Sequence, residues 1–148
     1  MTALIQWMDR TRGWLRALGH AVDLAIRLYV ANVFFSSGLV KIRSWEGTLY
    51  LFESEYRVPL LPPELAAWLG TFGELFFPPL LALGLAARFA AFSLSVFNIV
   101  AVVSFWHVLS ANQPALMSHF YWGLLLLVTV CHGPGKLSVD YLMAVRIR

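Results

Sequence analysis

Residues 64–87 read ELAAWLGTFGELFFPPLLALGLAA, and the placement of Glu74 within them decides the fold. A run of this length, at about 1.5 Å per residue, crosses a hydrocarbon core about 30 Å thick. Near its middle stand the carboxyl of Glu74 and the adjacent Pro78 and Pro79. A carboxyl at that depth is costly unless it is protonated or paired. Each proline lacks an N–H, so the carbonyls of Glu74 and Leu75 lose the helical donor four residues on. Hydrocarbon offers no water in its place, so those carbonyls need another donor. The helix presents one polar turn, and another part of the chain has to face it.

The rest of the composition agrees with a membrane location. Of 148 residues, 59% are hydrophobic and 13% charged, and the mean hydropathy is +0.71. Soluble domains average roughly 45–50% apolar and 25% charged residues. The length predicts a single domain, 1–148, with four spans at about 20–40, 64–87, 89–109 and 115–132. The fold class expected is therefore an all-α integral membrane protein, a four-helix bundle. A net charge of +3 fits topology better than nucleic-acid binding, since no basic run is interleaved with aromatics. The lone Cys131 excludes an internal disulfide and a CxxC redox pair.

Outside the spans, residues 1–19 place Leu4, Met8, Leu15 and Leu18 near one helical face and Arg10, Arg12 and Arg16 on the other. That pattern predicts an N-terminal interfacial helix on an anionic leaflet. In the first span Asp23, Arg27, Ala31, Phe34, Gly38 and Lys41 share a stripe, which should face protein rather than lipid. Asp23 and Arg27 stand four apart, acid first, the better order for a helical ion pair. The loop 41–63 carries Trp45, Tyr50 and Tyr56 and is expected to form a short helix over the bundle mouth near 48–56, with Pro63 opening the second span. Asn98, deep in the third span, should hydrogen-bond between helices. Gly133, Pro134 and Gly135 stop the fourth span, and Ser138 caps a short C-terminal helix with Asp140 in its first turn.

An even number of spans puts both termini and Arg88 on one side. Seven basic residues lie there against three on the other, which predicts cytoplasmic termini. Counted along the helices, Glu74 lies about 20 Å and Asn98 about 15 Å from that side, and Arg27 starts about 10 Å in. These depths allow Arg27, Asn98 and Glu74 to meet in one buried cluster, with Asp23 beside Arg27.

The stretch His132-Gly133-Pro134-Gly135-Lys136-Leu137-Ser138-Val139-Asp140-Tyr141 resembles the closing signature of the DoxX family, Gly-Pro-Gly-(Lys/Arg)-x-Ser-x-Asp. Arg27 followed by Phe34, Gly38 and Lys41 is similar to that family's first span, and Glu74 followed by Leu83, Gly84 and Arg88 to its second span and turn. The resemblance implies a four-helix protein of the bacterial or archaeal cytoplasmic (inner) membrane. It also implies a link to redox or oxidative-stress systems, since the family is named for subunits of a thiosulfate:quinone oxidoreductase. It carries over no catalytic residue.

Three chemistries are then open. A quinone or another apolar ligand would take hydrogen bonds from Arg27, Asn98 and a protonated Glu74, between walls of Phe34, Phe76, Phe77 and Phe97. A metal or haem would use His107 and His119, at the outer ends of the third and fourth spans, with Glu46, Glu53 or Glu55. A non-enzymatic anchor or scaffold for a protein partner would need neither. Ser37, Gly38, Gly70 and Gly73 allow close helix contact and thus a homodimer. The expectation that follows is an accessory membrane protein rather than a catalyst acting alone.

Overall fold

The computed structural model describes the backbone of residues 2–147 and the side chains of residues 13–147. Seven helices follow in order: α1 (Thr2–Arg43), α2 (Trp45–Ser54), α3 (Pro63–Leu83), α4 (Ala87–Ser104), α5 (Trp106–Leu109), α6 (Gln113–His132) and α7 (Val139–Arg146). Among the described residues four segments are long and apolar enough to cross a membrane: Gly13–Arg43, Pro63–Leu83, Ala87–Ser104 and Gln113–His132. They pack in a ring, α1 on α3, α3 on α4, α4 on α6, with α6 touching α1. The interior is built from Val30, Phe34, Leu81, Ala90, Leu94 and Leu126. Large apolar side chains such as Trp68, Phe72, Phe92, Ile99 and Leu127 point outward. Such a surface suits lipid, where no hydrophobic effect penalises it.

The N-terminal helix and the first span are one helix rather than two. Gly13 and Gly19 cost about 1 kcal/mol each in a helix interior, and no proline stands between them and Arg43 to break it. Neither glycine has a neighbour within 4 Å of where a Cβ would lie, so no packing bends the chain there. The amphipathic reading of residues 1–19 depends largely on side chains before Gly13, which lie outside the described residues.

Differences at the other span ends have local causes. Pro63 takes the first position of α3, as its sequence suggests. The helix stops at Leu83 because Gly84 adopts φ +69 and closes a Schellman turn: Gly84 N–H donates to Leu81 O and Leu85 N–H to Leu80 O. The third span breaks at Phe105 instead of running to 109. There the Arg57 N–H donates to Ser104 O, and the Phe105 ring stacks on Tyr56 at 4.7 Å. The loop helix forms as expected but one turn earlier, over 45–54, and seats Phe52 against Ala66 and Ala67.

Candidate functional site

The polar turn of α3 is answered from the end of α1. Gly38 lies against it so closely that a Cβ there would be 3.2 Å from the Glu74 carbonyl carbon and 2.8 Å from Leu75 Cγ. The missing side chain lets the α1 backbone cover the stretch that Pro78 and Pro79 leave short of donors. One turn further on, Lys41 Nζ donates to Glu74 Oε2 at 2.5 Å and to Ser37 Oγ at 2.9 Å. Both charged side chains are about 15% exposed. In such a setting an ion pair removes the cost of stranding either charge alone.

Around this pair is a cavity of about 300 Å³ between α2, α3 and α4, lined by Phe52, Tyr56, Leu69, Gly70, Phe97 and Ser104 among others. Lys41 and Tyr56 also border a second hollow of about 470 Å³ on the α1–α2 side. The Tyr56 ring sits in a stack between Phe52, at 4.6 Å, and Phe105. Burial raises its pKa, and the nearby Glu74 charge raises it further. The Ser104 hydroxyl is buried with no hydrogen-bond partner. The cleft thus offers an ammonium and the Tyr56 hydroxyl as donors, a carboxylate as acceptor, and aromatic walls, with no net charge from its ion pair. It can hold a neutral, lipid-soluble molecule with a hydrogen-bonding head. Neither Tyr56 nor Ser104 stood out in the sequence; only the break at Phe105 brings them to Glu74.

Arg27 does not join Glu74. It is fully buried, and its Nη1 donates to Leu81 O at 3.2 Å and Ala82 O at 2.9 Å, while Nη2 donates to Leu137 O. Those α3 carbonyls lie seven and eight residues past Glu74, about 10–12 Å along the helix. The guanidinium is drawn to the negative end of α3, where the last carbonyls lack helical donors. For the same reason it forms no ion pair with Asp23, which lies 4.0 Å from His20 Nδ1 instead.

The segment after α6 completes this second polar centre. Asp140 donates its N–H to Gly84 O, and its carboxylate accepts from the N–H groups of Ala86 and Ala87 at 2.8 and 2.9 Å. It thereby holds Ala86 at φ +47 and caps α4. Ser138 Oγ donates to Gly135 O and accepts from Tyr141 N–H, so it caps α7. Gly133, at φ +86, lies under Arg88, and Gly135, at φ +73, lies against Asp23, where a Cβ would meet Oδ2 at 2.7 Å. Pro134 stands between them in this turn. The Gly-Pro-Gly-Lys-x-Ser-x-Asp stretch is a hook that clamps the α3–α4 turn to Arg27; its Ser138 and Asp140 side chains are spent on caps, and its Lys136 side chain is exposed.

Asn98 forms a third, separate contact, to His119 on α6. His107 instead faces Glu55, Nε2 to Oε2 at 3.3 Å. The two histidines therefore serve different partners, and among the described residues no three His, Cys, Asp or Glu side chains converge as a metal site would require. Of the expected aromatic walls only Phe97 lines the Glu74 cleft. Phe34 packs on Trp122 in the core, and Phe76 and Phe77 pair with each other.

Comparison with known proteins bears on the first two motifs and on most of the chain. Residues 22–107, more than half of it, match the family DoxX. They include Arg27, Gly38, Lys41, Glu74 and the α3–α4 turn and end before the C-terminal hook. An uncharacterised protein of Haemophilus influenzae is 31% identical over 140 residues, covering 87% of this chain and 88% of that protein. No solved structure matches. The matched stretch contains the α1–α3 pairing on which the bundle is built, and the chain belongs to the DoxX family of membrane proteins.

Proposed function

We propose that this protein is an accessory membrane component of a redox- or stress-linked system, and that it holds a lipid-soluble ligand of the quinone class in the cleft at Lys41, Glu74 and Tyr56. The observation that carries this reading is the Tyr56 hydroxyl, without a hydrogen-bond partner among the described residues and not sealed, in a cavity that also contains the Lys41–Glu74 pair. A quinone is neutral and planar. Its carbonyls accept from Lys41 or Tyr56, its quinol form can donate to Glu74, and its ring suits the aromatic wall. Leu69, Val96 and Val100 line the cleft and are exposed on the lipid-facing surface, which provides an entry route from the bilayer. The protein purified in mild detergent should release an isoprenoid quinone on solvent extraction. Lys41→Met and Tyr56→Phe should retain less of it. Wild-type protein extracted from quinone-containing membranes with none bound would overturn the reading.

The same proposal places the protein in the cytoplasmic (inner) membrane with both termini in the cytoplasm, on the seven-to-three division of basic residues. Topology reporters after Arg148 and within loop 46–57 should read opposite sides. Readings on one side would defeat the four-span arrangement.

A further inference from the structure

A groove of about 590 Å³ runs between α4 and α6, apart from the Lys41–Glu74 cleft, with apolar walls that include Ile99, Val103, Phe120 and Leu124. Among the described residues no charged side chain lines it. Its polar groups are Ser95, Asn98 and His119, and the Ser95 hydroxyl is committed to Ala91 O.

The hydrogen bonds of the other two fix where the protons are. His119 O can only accept, and it lies 2.9 Å from the Asn98 side-chain nitrogen, so the amide must present its NH₂ there. Asn98 Oδ1 then faces His119 Nδ1 at 2.8 Å. A carbonyl oxygen only accepts, so Nδ1 carries the proton, and in the neutral ring Nε2 is a lone pair. Gly123 permits this approach, since a Cβ there would lie 3.3 Å from Asn98 Nδ2. Trp122 meets the His119 ring edge-on at 4.9 Å and holds its plane. Nε2 has no hydrogen-bond partner among the described residues, and it is not sealed from the groove, because the side chain is only half-buried.

His119 stands six residues into α6, about 9 Å along its axis. An acceptor left unmet in apolar surroundings costs free energy that a donor restores. We infer that the α4–α6 groove binds a neutral, lipid-soluble molecule with a free hydroxyl, which donates to His119 Nε2 while its hydrocarbon body lies along the groove. The missing charge disfavours ionic headgroups, and the locked tautomer selects a donor over a bare carbonyl or ether.

The test uses the full-length protein in detergent and a photoreactive sixteen-carbon alcohol, with hexadecanol and its methyl ether as competitors. The label should map to α4 and α6. The alcohol should compete better than the ether, and His119→Phe should shrink that preference by roughly threefold to tenfold, the worth of one hydrogen bond. Asn98→Leu, which unlocks the tautomer and leaves the ring in place, should narrow it as well and serves if His119→Phe does not fold. Glu64→Gln, exposed at the start of α3 and outside both clefts, should leave it unchanged. A preference that survives both groove variants, or label that maps to the Lys41–Glu74 cleft instead, would overturn the inference. So would cross-links between two copies through the groove in place of lipid label.

Discussion

Lys41 Nζ and Glu74 Oε2 lie 2.5 Å apart, one at the last turn of α1 and the other beside the proline pair of α3. This contact meets the demand of the buried carboxyl, and Gly38 one turn earlier makes it reachable. Lys41→Ala or Glu74→Gln alone strands a partner and should destabilise the bundle by about 3 kcal/mol, the low end for a buried pair because both groups are slightly exposed. Lys41→Ala combined with Glu74→Gln should cost less than the sum of the two single changes. Thermal melting of the four proteins in one detergent measures this, and strictly additive losses would show that the two residues act independently.

Arg27 should be irreplaceable by lysine. Its guanidinium reaches three carbonyls on two segments, whereas an ammonium is a point donor on a flexible stem. Arg27→Lys should lower the melting temperature clearly and Arg27→Ala further, by about 3 kcal/mol or more. Equal stability of Arg27→Lys and the parent would remove the guanidinium from the account of the fold.

Gly135 and Asp23 provide a steric test of the hook. Gly135→Ala adds a Cβ 2.7 Å from Asp23 Oδ2 and also imposes φ +73 on an alanine. The variant should lose about 1–3 kcal/mol. Shortening the neighbour with Asp23→Ala should return part of that loss, while the backbone part remains. Melting curves of the two single variants and the double variant separate the contributions.

Tyr56 should add an alkaline limit to stability. Its folded pKa is raised above the unfolded value of about 10 by burial and by Glu74. The folded state then binds the proton more tightly, so this contribution is complete below about pH 10 and is lost as pH rises through the higher folded value. Tyr56→Phe should flatten the fall of melting temperature above pH 10 relative to the parent. Parallel curves for the two proteins would mean that the phenol is not held neutral by the fold.

The four spans were legible because each is a long apolar run, with strong punctuation from Pro63 at one start and Gly133 at one end, whereas Gly84, which stops α3, was read as part of the span. The need of Glu74 for a partner was equally plain. Its identity was not, because Lys41 stands at a span end, where a basic residue reads as a topology signal, whereas Arg27 reads as a charge in need of rescue. Depth along a helix is a one-dimensional measure, and it missed that Arg27 finds carbonyls at its own level. His119 read as an interfacial anchor because its span was placed from 115. With α6 beginning at Gln113, the residue lies deeper, opposite Asn98. Tyr56 and Ser104 gave no local signal, since a helix break and a loop crossing create their setting.

The C-terminal hook also bears on how the protein is made. Arg27 emerges from the ribosome 110 residues before Leu137, and the α3–α4 turn more than 50 before Asp140. Until the last segment is synthesised, the guanidinium lacks one of its acceptors and the turn lacks its clamp. Membrane insertion of the four spans and closure of the bundle would therefore be separate events, with closure waiting on synthesis of the segment that follows α6. Nascent chains arrested just before Leu137 should be inserted yet protease-sensitive at the α3–α4 turn, and extension past Asp140 should confer protection. Protection already present in the shorter chain would show that the bundle closes without its hook.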